Sequence, residues 1–370
     1  MTEPAALITA AEVETPLGSD LEEVWGALVS RRTIIDALDD TAPSLEMGTC
    51  PQVDSALPPE TRLERLACRV LARVLPSDFN PGADLLILGT SLGGEDDRGR
   101  VNLSAWGRRV GEAAGGIEPF ALLSTACSTG NDALLLGTSL VRSGAADRVV
   151  VIAADVATRA KWNGHRALGT LSSCGPRPFR KDRDGMVLSE GAAAVVLQSP
   201  ARRPQRDMAT LGHVLGGASM NVGGGLTGIA PDGATVARVV RAALTDAGVT
   251  PEDISHVNAH ATSTIANDLA EARGLSSVFS GAAQRPLVSA TKANLGHALG
   301  ATALIEAVLT LTALRHRYAP PLPLAAEMDE LRLPVSAAGN TALWSGAGIN
   351  LSLGFGGFHA CTVFKSTGDL

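Results

Sequence analysis

A single cysteine stands where its thiol could act as a nucleophile. Cys127 lies in the stretch STACSTG (residues 124–130), after an apolar run at residues 119–123 and before a helical pattern over residues 131–141. This order predicts a strand, a turn and a helix, with the thiol at the helix N-terminus. Unpaired N–H groups and the positive end of the helix dipole favour a thiolate there, so we expect Cys127 to be nucleophilic. The remaining cysteines lack this setting and are expected to be inert core residues: Cys50, Cys68, Cys174 and Cys361.

Two histidines far downstream could supply imidazoles to the same site. His260 follows the strand-like residues 257–259, and His297 follows the segment KANLG at residues 292–296. One activated thiol with two imidazoles suggests carbon–acyl chemistry. Each histidine also has a structural alternative, as a ring hydrogen-bonded under a loop or as a residue at a helix start. A zinc site from Cys127, His260 and His297 is conceivable, but no CxxC or HxxxH spacing supports it, so we predict no metal.

Charged residues on either side of His297 could tune its imidazole. Lys292 precedes His297 by five residues, and Glu306 follows it by nine. A Lys–Glu pair close to an imidazole would order the ring and set its charge state. The alternative is a surface lysine, which the apolar and glycine-rich flanking sequence disfavours.

The composition limits the class of protein. A chain of 370 residues can form one large α/β domain or two domains. A net charge of −7 and an aromatic content of 3% argue against nucleic acid or an anionic membrane as partner. No apolar run reaches membrane-spanning length, and the N-terminus does not resemble a secretory signal. Five unclustered cysteines fit a reducing compartment, so we expect a cytoplasmic protein.

Hydrophobic patterns predict alternating strands and helices with an internal duplication. Strands are predicted at residues 5–10, 84–89, 148–155, 190–198, 256–259, 287–290 and 360–364, and further helices at 21–28, 62–75, 236–247, 265–275 and 298–314. The segments FALLSTACSTGNDALLLG and PLVSATKANLGHALGATALIEA share one pattern of strand, polar turn and small-residue helix. We therefore predict two similar halves, residues 1–204 and 205–370, that form one compact unit joined near residues 200–204.

Five ordered motifs identify a family resemblance. TACSTG, RPFRKDRDGMVLSEGAA, AHATSTIAND, TKANLGHALGA and LGFGG follow one another along the chain. Together they resemble the β-ketoacyl synthase family of the thiolase superfamily. That resemblance implies an α/β fold, a thiolase-like duplicated α-β-α-β-α sandwich, and a homodimer or a heterodimer with a related subunit.

The resemblance also implies roles for the site residues. Cys127 would accept an acyl chain from an acyl carrier protein, and His260 and His297 would stabilise the enolate formed when a malonyl-type extender loses carbon dioxide. The N–H groups of Cys127 and Phe355 match the family's oxyanion hole, and Phe355 matches its gate between the acyl and extender sites. Lys292 and Glu306 match the support of the histidine pair. Substrate contacts are expected at Thr262, Thr264, Phe355 and Gly356. No cofactor is expected, since phosphopantetheine arrives on the carrier protein.

Three departures from the family pattern point to a specialised, polyketide-like pathway. The interval from Gly94 to Cys127 is shorter than usual, which implies a reduced cap over the acyl tunnel. Ala261 stands where glycine is usual, and Phe358 with His359 replaces Thr-Asn. The intact catalytic set disfavours a chain-length-factor subunit, in which the cysteine is lost.

A row of arginines could dock the acidic carrier protein. Arg62, Arg65, Arg69 and Arg73 recur at three- and four-residue spacing on one predicted helix. The first two match the family's docking region. The alternative is a solvated helix face without a partner.

Three functions stay open on the sequence alone. The first is a stand-alone decarboxylative ketosynthase. The second is an acyltransferase or hydrolase that uses the same Cys127 thioester without an enolate. The third is a non-catalytic subunit that shapes the tunnel of another ketosynthase.

Overall fold

The computed structural model describes residues 6–37, 47–81, 83–94, 100–200, 210–223 and 229–367. The strands are β1 (Ala6–Glu14), β2 (Asp84–Gly89), β3 (Ala121–Leu123), β4 (Arg148–Asp155), β5 (Gly191–Gln198), β6 (Gly212–Asn221), β7 (Ile254–Asn258), β8 (Leu287–Ser289), β9 (Ala347–Leu353) and β10 (Phe358–Ser366). The helices are α1 (Leu21–Val29), α2 (Ile34–Ala37), α3 (Pro59–Val74), α4 (Leu103–Ala113), α5 (Thr129–Arg142), α6 (Arg159–Ala167), α7 (Ala234–Ala247), α8 (Ile265–Phe279), α9 (Lys292–Leu295) and α10 (Leu299–His316).

The strand order shows the duplication directly. Along the sheet the order is β3-β2-β4-β5-β1-β6-β10-β9-β7-β8. Read from the two ends toward the middle, this order matches β3 with β8, β2 with β7, β4 with β9, β5 with β10 and β1 with β6. Each strand of the first half therefore has a counterpart whose number is higher by five. Pairing repeats as well: β2 runs parallel to β3 and β4, and β7 runs parallel to β8 and β9. A short antiparallel pairing of β1 with β6 joins the halves. The predicted internal repeat is therefore a repeat of topology.

Successive side chains along the strands point to opposite faces of the sheet, and so the core lies in separate layers. In β4, Val149 and Val151 pack toward α5 and α10, whereas Val150 and Ile152 pack toward α3 and α4. Helices α7 and α8 cover the outer face of the second half. Each fully buried valine or isoleucine contributes roughly 1.5–3 kcal/mol. The resulting order of layers is α-β-α-β-α, which confirms the predicted fold class.

The central helices α5 and α10 each pack against strands of both halves, and α10 is mostly apolar. In α10 every residue from 299 to 314 is buried, although the helix contains Thr302, Glu306, Thr310 and Thr312. Small residues let the helices approach closely. A Cβ on Gly130 of α5 would overlap the backbone nitrogen of Leu304. This contact packs the first turn of α5 against the second turn of α10.

Several elements differ from the sequence-based expectations. The predicted strand at residues 119–123 has only three residues in β3, and β6, β9, α4 and α6 were not predicted. The boundary at residue 204 lies in residues 201–209, outside the described residues, and so stays a prediction. Part of the shortened Gly94–Cys127 interval, residues 95–99, is likewise outside them. Within the described ranges, no helix combines the length and apolarity needed to cross a bilayer.

Candidate active site

Cys127 lies on a tight turn between β3 and α5. The turn is a single 3-10 helical turn over residues 126–128, with Ala126 at φ +53°. Hydroxyl groups hold it: the Thr129 hydroxyl accepts the backbone N–H of Thr125 and donates to the Ala126 carbonyl, at 2.9 and 2.7 Å. The Asp132 carboxylate accepts the hydroxyls of Thr125 and Ser128. The Ser/Thr residues of the motif therefore fix the position of the sulfur.

The segment Gly354–Gly357 approaches this turn from the second half. A Cβ on Gly354 would lie 3.3 Å from the backbone nitrogen of Cys127, so a glycine here permits close packing. The N–H groups of Phe355 and Cys127 both lower the pKa of the Cys127 thiol, so both lie near the sulfur. Two backbone donors thus converge at the reactive atom.

The thiol itself corrects one expectation. Cys127 is 7% exposed, and burial raises the pKa of its thiol to about 11. The positive charge of Lys292 and the N–H group of Phe355 oppose this rise in pKa, but burial outweighs them. Because α5 begins only at Thr129, Cys127 precedes the helix and does not lie in its first turn. The free site therefore holds a thiol, and the predicted resting thiolate is wrong.

The structure brings the two histidines to this sulfur. One ring nitrogen of His260, one of His297 and Sγ of Cys127 all lie within 4.8 Å of one another. The two rings meet edge to face, with centroids 5.6 Å apart and an interplanar angle of 86°. Both rings are almost completely buried, at 2% and 1% exposure. The side chains of Cys127, His260 and His297, which are remote in sequence, thus lie in one site.

The hydrogen bonds of His297 determine which nitrogen carries its proton. Nδ1 accepts the backbone N–H of Leu299 at 3.1 Å and lies 2.9 Å from the Thr302 hydroxyl. A nitrogen that accepts an N–H bond has no proton, so Nε2 of the neutral ring carries one. Nε2 has no protein partner among the described residues. His297 therefore has one unused donor for a ligand; the spacing of the motif suggested neither Thr302 nor this tautomer.

The loop of His260 is held by a buried acid that sequence analysis missed. Glu271 accepts the backbone N–H groups of His260 and Ala261, at 2.5 and 2.7 Å. Burial and the neighbouring Asp268 raise the pKa of Glu271 to about 8. Ala261 has φ +41°, in the left-handed region, which gives a physical reason why glycine is usual there.

His359, another departure from the family pattern, is fully buried, and neither ring nitrogen has a partner among the described residues.

Lys292 and Glu306 form a buried ion pair close to the imidazoles. Lys292 Nζ lies 2.6 Å from Glu306 Oε2, and the Thr291 hydroxyl donates to Oε1 at 2.9 Å. Burial lowers the pKa values of His260 and His297 well below their usual range, and the charge of Lys292 lowers both further. The pair therefore acts on the rings through charge. The hydrogen bonds that order His297 come from Leu299 and Thr302, which corrects the expectation that Lys292 and Glu306 order the ring.

Two cavities meet at Cys127. One has a volume of about 600 Å³ and a largely apolar wall that includes Leu92, Leu168 and Leu299; we call it the acyl cavity. The other, about 280 Å³, is lined by His260, His297, Thr262 and Thr264; we call it the extender cavity. Phe355 lies on the wall of both. Its position between the cavities fits the gate that the resemblance implies.

The other predicted substrate contacts divide between these cavities. The hydroxyls of Thr262 and Thr264 lie 3.0 Å apart on the extender side. Gly356, with φ +75°, lies on the acyl side. A residue that sequence analysis did not single out, His165 of α6, also lines the acyl cavity and stacks on Phe355, with centroids 5.4 Å apart.

The proposed docking arginines do not form one exposed row. Arg62 is buried and pairs with the fully buried Glu190, so it cannot contact a carrier protein. Arg69 and Arg73 both pair with the buried Glu14. Arg65 is exposed. The regular spacing reflects ion pairs that attach α3 to the sheet, and Arg65 alone stays a docking prediction.

Family models agree with this arrangement. The model described as "Beta-ketoacyl synthase, N-terminal domain" matches residues 119–202, and that for "Beta-ketoacyl synthase, C-terminal domain" matches residues 211–324. Together the two models cover just over half of the chain. They include Cys127 in the first match, and His260, His297, Lys292 and Glu306 in the second.

Relatives and solved structures cover nearly the whole chain. A 3-oxoacyl-[acyl-carrier-protein] synthase 2 of Mycobacterium bovis is 29% identical over 410 aligned positions, which cover 98% of this chain and 97% of the relative. A type II polyketide synthase ketosynthase, solved with its acyl-carrier protein and bound to the hexaketide, superposes with a TM-score of 0.84 at 22% identity, covering 98% and 99% of the two chains. A Xenorhabdus doucetiae ketosynthase in complex with its chain length factor gives a TM-score of 0.84 at 22% identity, covering 98% of each. At these identities the structural matches establish the fold.

Proposed function

The chain belongs to the β-ketoacyl synthase family of condensing enzymes, and we propose that it catalyses a decarboxylative Claisen condensation. An acyl chain bound to Cys127 is joined to a malonyl-type extender on an acyl carrier protein, giving a 3-oxoacyl-carrier protein. The observation that carries this proposal is the convergence of Cys127, His260 and His297 at the junction of two cavities.

The first step is thioester exchange at Cys127. The sulfur attacks the carbonyl carbon of an acyl-phosphopantetheine, the new S–C bond forms, and the bond from that carbon to the pantetheine sulfur breaks. The thiol proton leaves with the pantetheine, which departs as a thiol. The N–H groups of Cys127 and Phe355 are placed to stabilise the tetrahedral oxyanion. Because burial keeps the thiol protonated in the free site, loss of the proton must accompany the attack.

The second step takes place on the extender side. The two imidazoles donate hydrogen bonds to the thioester oxygen of the extender, the bond to its carboxylate breaks, and carbon dioxide leaves. The electron pair of that bond forms an enolate, whose carbon attacks the acyl-Cys127 carbonyl. The new C–C bond forms, the sulfur of Cys127 is expelled as a thiolate, and it takes up a proton.

The charge state of the histidines suits this step. Imidazolium rings would be strong enough acids to quench an enolate by protonating its carbon, whereas neutral rings donate hydrogen bonds without doing so. Burial and the charge of Lys292 hold the pKa values of both rings low. His297 has the tautomer that presents an Nε2–H group. Buried Glu306 balances the lysine charge.

The partners and pathway extend this proposal. The substrates arrive on phosphopantetheine of an acyl carrier protein, and the enzyme needs no cofactor of its own. A second copy or a related ketosynthase-like subunit completes the assembly, in a polyketide or specialised fatty-acid pathway. The relatives described above, which include a ketosynthase with its carrier protein and one with a chain length factor, support a carrier protein and a related subunit as partners.

Incubation with acyl- and malonyl-carrier protein tests the function. We expect release of carbon dioxide and formation of a 3-oxoacyl-carrier protein, both measured by mass spectrometry and gas analysis. Acyl loading of Cys127 without carbon dioxide would instead indicate an acyltransferase or hydrolase. Absence of loading would indicate a non-catalytic subunit.

A further inference from the structure

The acyl cavity contains few polar groups. Its wall includes Leu92, Ala126, Ala160, Leu168, Leu299 and Phe355. An alkyl chain would be expected in such a space, since burying methylene groups is favourable and requires no hydrogen bonds. The polar groups on this wall are therefore informative about the chain that the cavity accepts.

Most of these polar groups bond within the protein. The three N–H groups of Lys161 reach the carbonyls of Gly93 and Val156 and the carboxylate of Asp155, at 2.7, 2.9 and 2.5 Å. The Ser124 hydroxyl donates to the Ser91 carbonyl. The Ser91 hydroxyl has no hydrogen-bond partner among the described residues, but protein atoms enclose it, so it is not accessible from the cavity. None of these three side chains therefore presents an accessible free donor to a ligand.

His165 differs from them. Its ring stacks on Phe355 at an interplanar angle of 27°, and its Nδ1 lies 3.1 Å from the Thr170 hydroxyl. That hydroxyl also donates to the His165 carbonyl, at 3.1 Å, which leaves Nδ1 as the donor of the pair and Nε2 as an acceptor. Nε2 has no partner among the described residues. Burial lowers the pKa of the ring, and Lys161 lowers it further, so the neutral form predominates.

We propose that His165 determines specificity in the acyl cavity, by forming a hydrogen bond with an oxygen-bearing substituent of the Cys127-bound chain. This inference rests on the proposed function and names the class of acyl group that it uses: hydroxylated or enolisable oxo chains in preference to saturated ones. A saturated chain would exclude water from Nε2 and leave this nitrogen without a hydrogen bond. A hydroxyl or enol group would instead donate a hydrogen bond to it. A site built for a hydrogen bond discriminates against the analogue that lacks the partner.

Four acyl groups of equal chain length, each supplied in a separate reaction, test this assignment. Hexanoyl-, 3-hydroxyhexanoyl-, 3-oxohexanoyl- and 5-hydroxyhexanoyl-carrier proteins are each incubated with the full chain, and the rate of Cys127 acylation is followed by intact-protein mass spectrometry. We expect at least one oxygenated chain to load about tenfold faster than hexanoyl. In His165→Phe, which keeps the ring stack, this ratio should fall to about one or two.

Two further variants separate recognition from packing. His165→Gln retains a polar atom at the end of the side chain and should keep part of the preference. His316→Phe is the matched control, because His316 also stacks on an aromatic ring, Trp25, at 5.2 Å, but does not line the cavity. It should keep the full preference.

Equal loading of all four chains by the wild type would overturn the assignment and leave the proposed function intact. A preference that survives in His165→Phe would also overturn it. If no chain loads Cys127 at all, both the proposed function and this inference fail.

Discussion

The two halves of the molecule use one topological position for different chemistry. In the first half, β3 leads through the 3-10 turn of Cys127 into α5; in the second, β8 leads through α9 and His297 into α10. The first connection presents a thiol and backbone N–H groups, and the second presents a lysine and an imidazole. Since both helices start at the centre of the molecule, the repeated fold brings the two connections together. The repeated topology thus supplies two equivalent positions, and these carry different functional groups.

The halves also differ in how they use buried charge. In the first half, Arg62 pairs with Glu190 and attaches α3 to the sheet, and neither residue contributes to the pKa shifts of Cys127, His260 or His297. In the second, Lys292 pairs with Glu306 beside the imidazoles and lowers their pKa values. One pair contributes to packing, whereas the other contributes to packing and to the charge state of the site.

Removing the nucleophile should have the largest effect. Cys127→Ala is expected to reduce formation of the 3-oxo product by about 10³-fold or more, because among the described residues that line the two cavities Cys127 is the only cysteine. Product formation and the mass of the protein are measured after exposure to acyl-carrier protein. Cys361→Ala, which removes a buried thiol from β10, is the control and should keep acylation. Product formation near the wild-type rate in Cys127→Ala would contradict the assignment.

Breaking the two ion pairs should separate their tasks. Arg62→Met and Lys292→Met each leave a buried carboxylate unpaired, so both should lower the free energy of unfolding by about 3–5 kcal/mol. At a temperature where both are folded, only Lys292→Met should also move the acid limb of the pH–rate profile upward, since the lysine charge lowers the imidazole pKa values. Denaturant titration and pH–rate profiles check this. A shifted acid limb in Arg62→Met would show that the Arg62–Glu190 pair also sets the imidazole pKa values, and would contradict the separate tasks of the two pairs.

Acid should destabilise the protein mainly through buried histidines of the second half. Burial lowers the pKa of His256 to about 3, below the unfolded value of about 6.5. The unfolded chain therefore binds more protons as the pH falls below 6.5, and this histidine's contribution to stability is lost between pH 6.5 and 3 at about 1.4 kcal/mol per unit.

His256→Gln should reduce the pH dependence of the unfolding free energy in that window, measured by denaturant titration at several pH values. His316→Gln, at an exposed position, serves as the control and should leave it unchanged. An identical slope in His256→Gln and wild type would show that this ring titrates normally.

The smallest effect is expected at the support of His297. Thr302→Val removes a hydroxyl 2.9 Å from Nδ1 and should lower the condensation rate by about three- to tenfold, because the ring is less firmly oriented. Thr302→Ser should restore most of the rate. Steady-state kinetics distinguish them. A loss in Thr302→Ser as large as that in Thr302→Val would contradict the prediction, because serine keeps the hydroxyl and lacks only the methyl group.

The sequence predicted the strands with long apolar runs and the residues with reactive side chains. β2 and β4 have the predicted bounds because fully buried strands are continuous apolar stretches. β6 was missed because glycines and polar residues interrupt it, and α6 because its sequence is polar over most of its length. Hydrophobic periodicity therefore predicts neither β6 nor α6.

At the site, residue type was predictable and environment was not. The roles assigned to Cys127, His260 and His297 stay predictions that their convergence supports. The high thiol pKa and the burial of Arg62 depend on contacts between remote segments, such as Arg62 with Glu190, which helical spacing alone does not reveal. Sequence analysis missed Glu271 and His165 for the same reason. Glu271 is recognised only by its contact with the backbone of His260, and His165 only by its stacking on Phe355.

The division of labour between the halves is tested most directly by separating loading from decarboxylation. Wild type, His260→Ala and His297→Ala are first exposed to acyl-carrier protein, and then to malonyl-carrier protein labelled in its free carboxyl group. Both variants should form the acyl-Cys127 adduct at near wild-type rate but release labelled carbon dioxide about 10²- to 10⁴-fold more slowly. Release of label at the wild-type rate, or loss of loading together with decarboxylation, would contradict this division of labour.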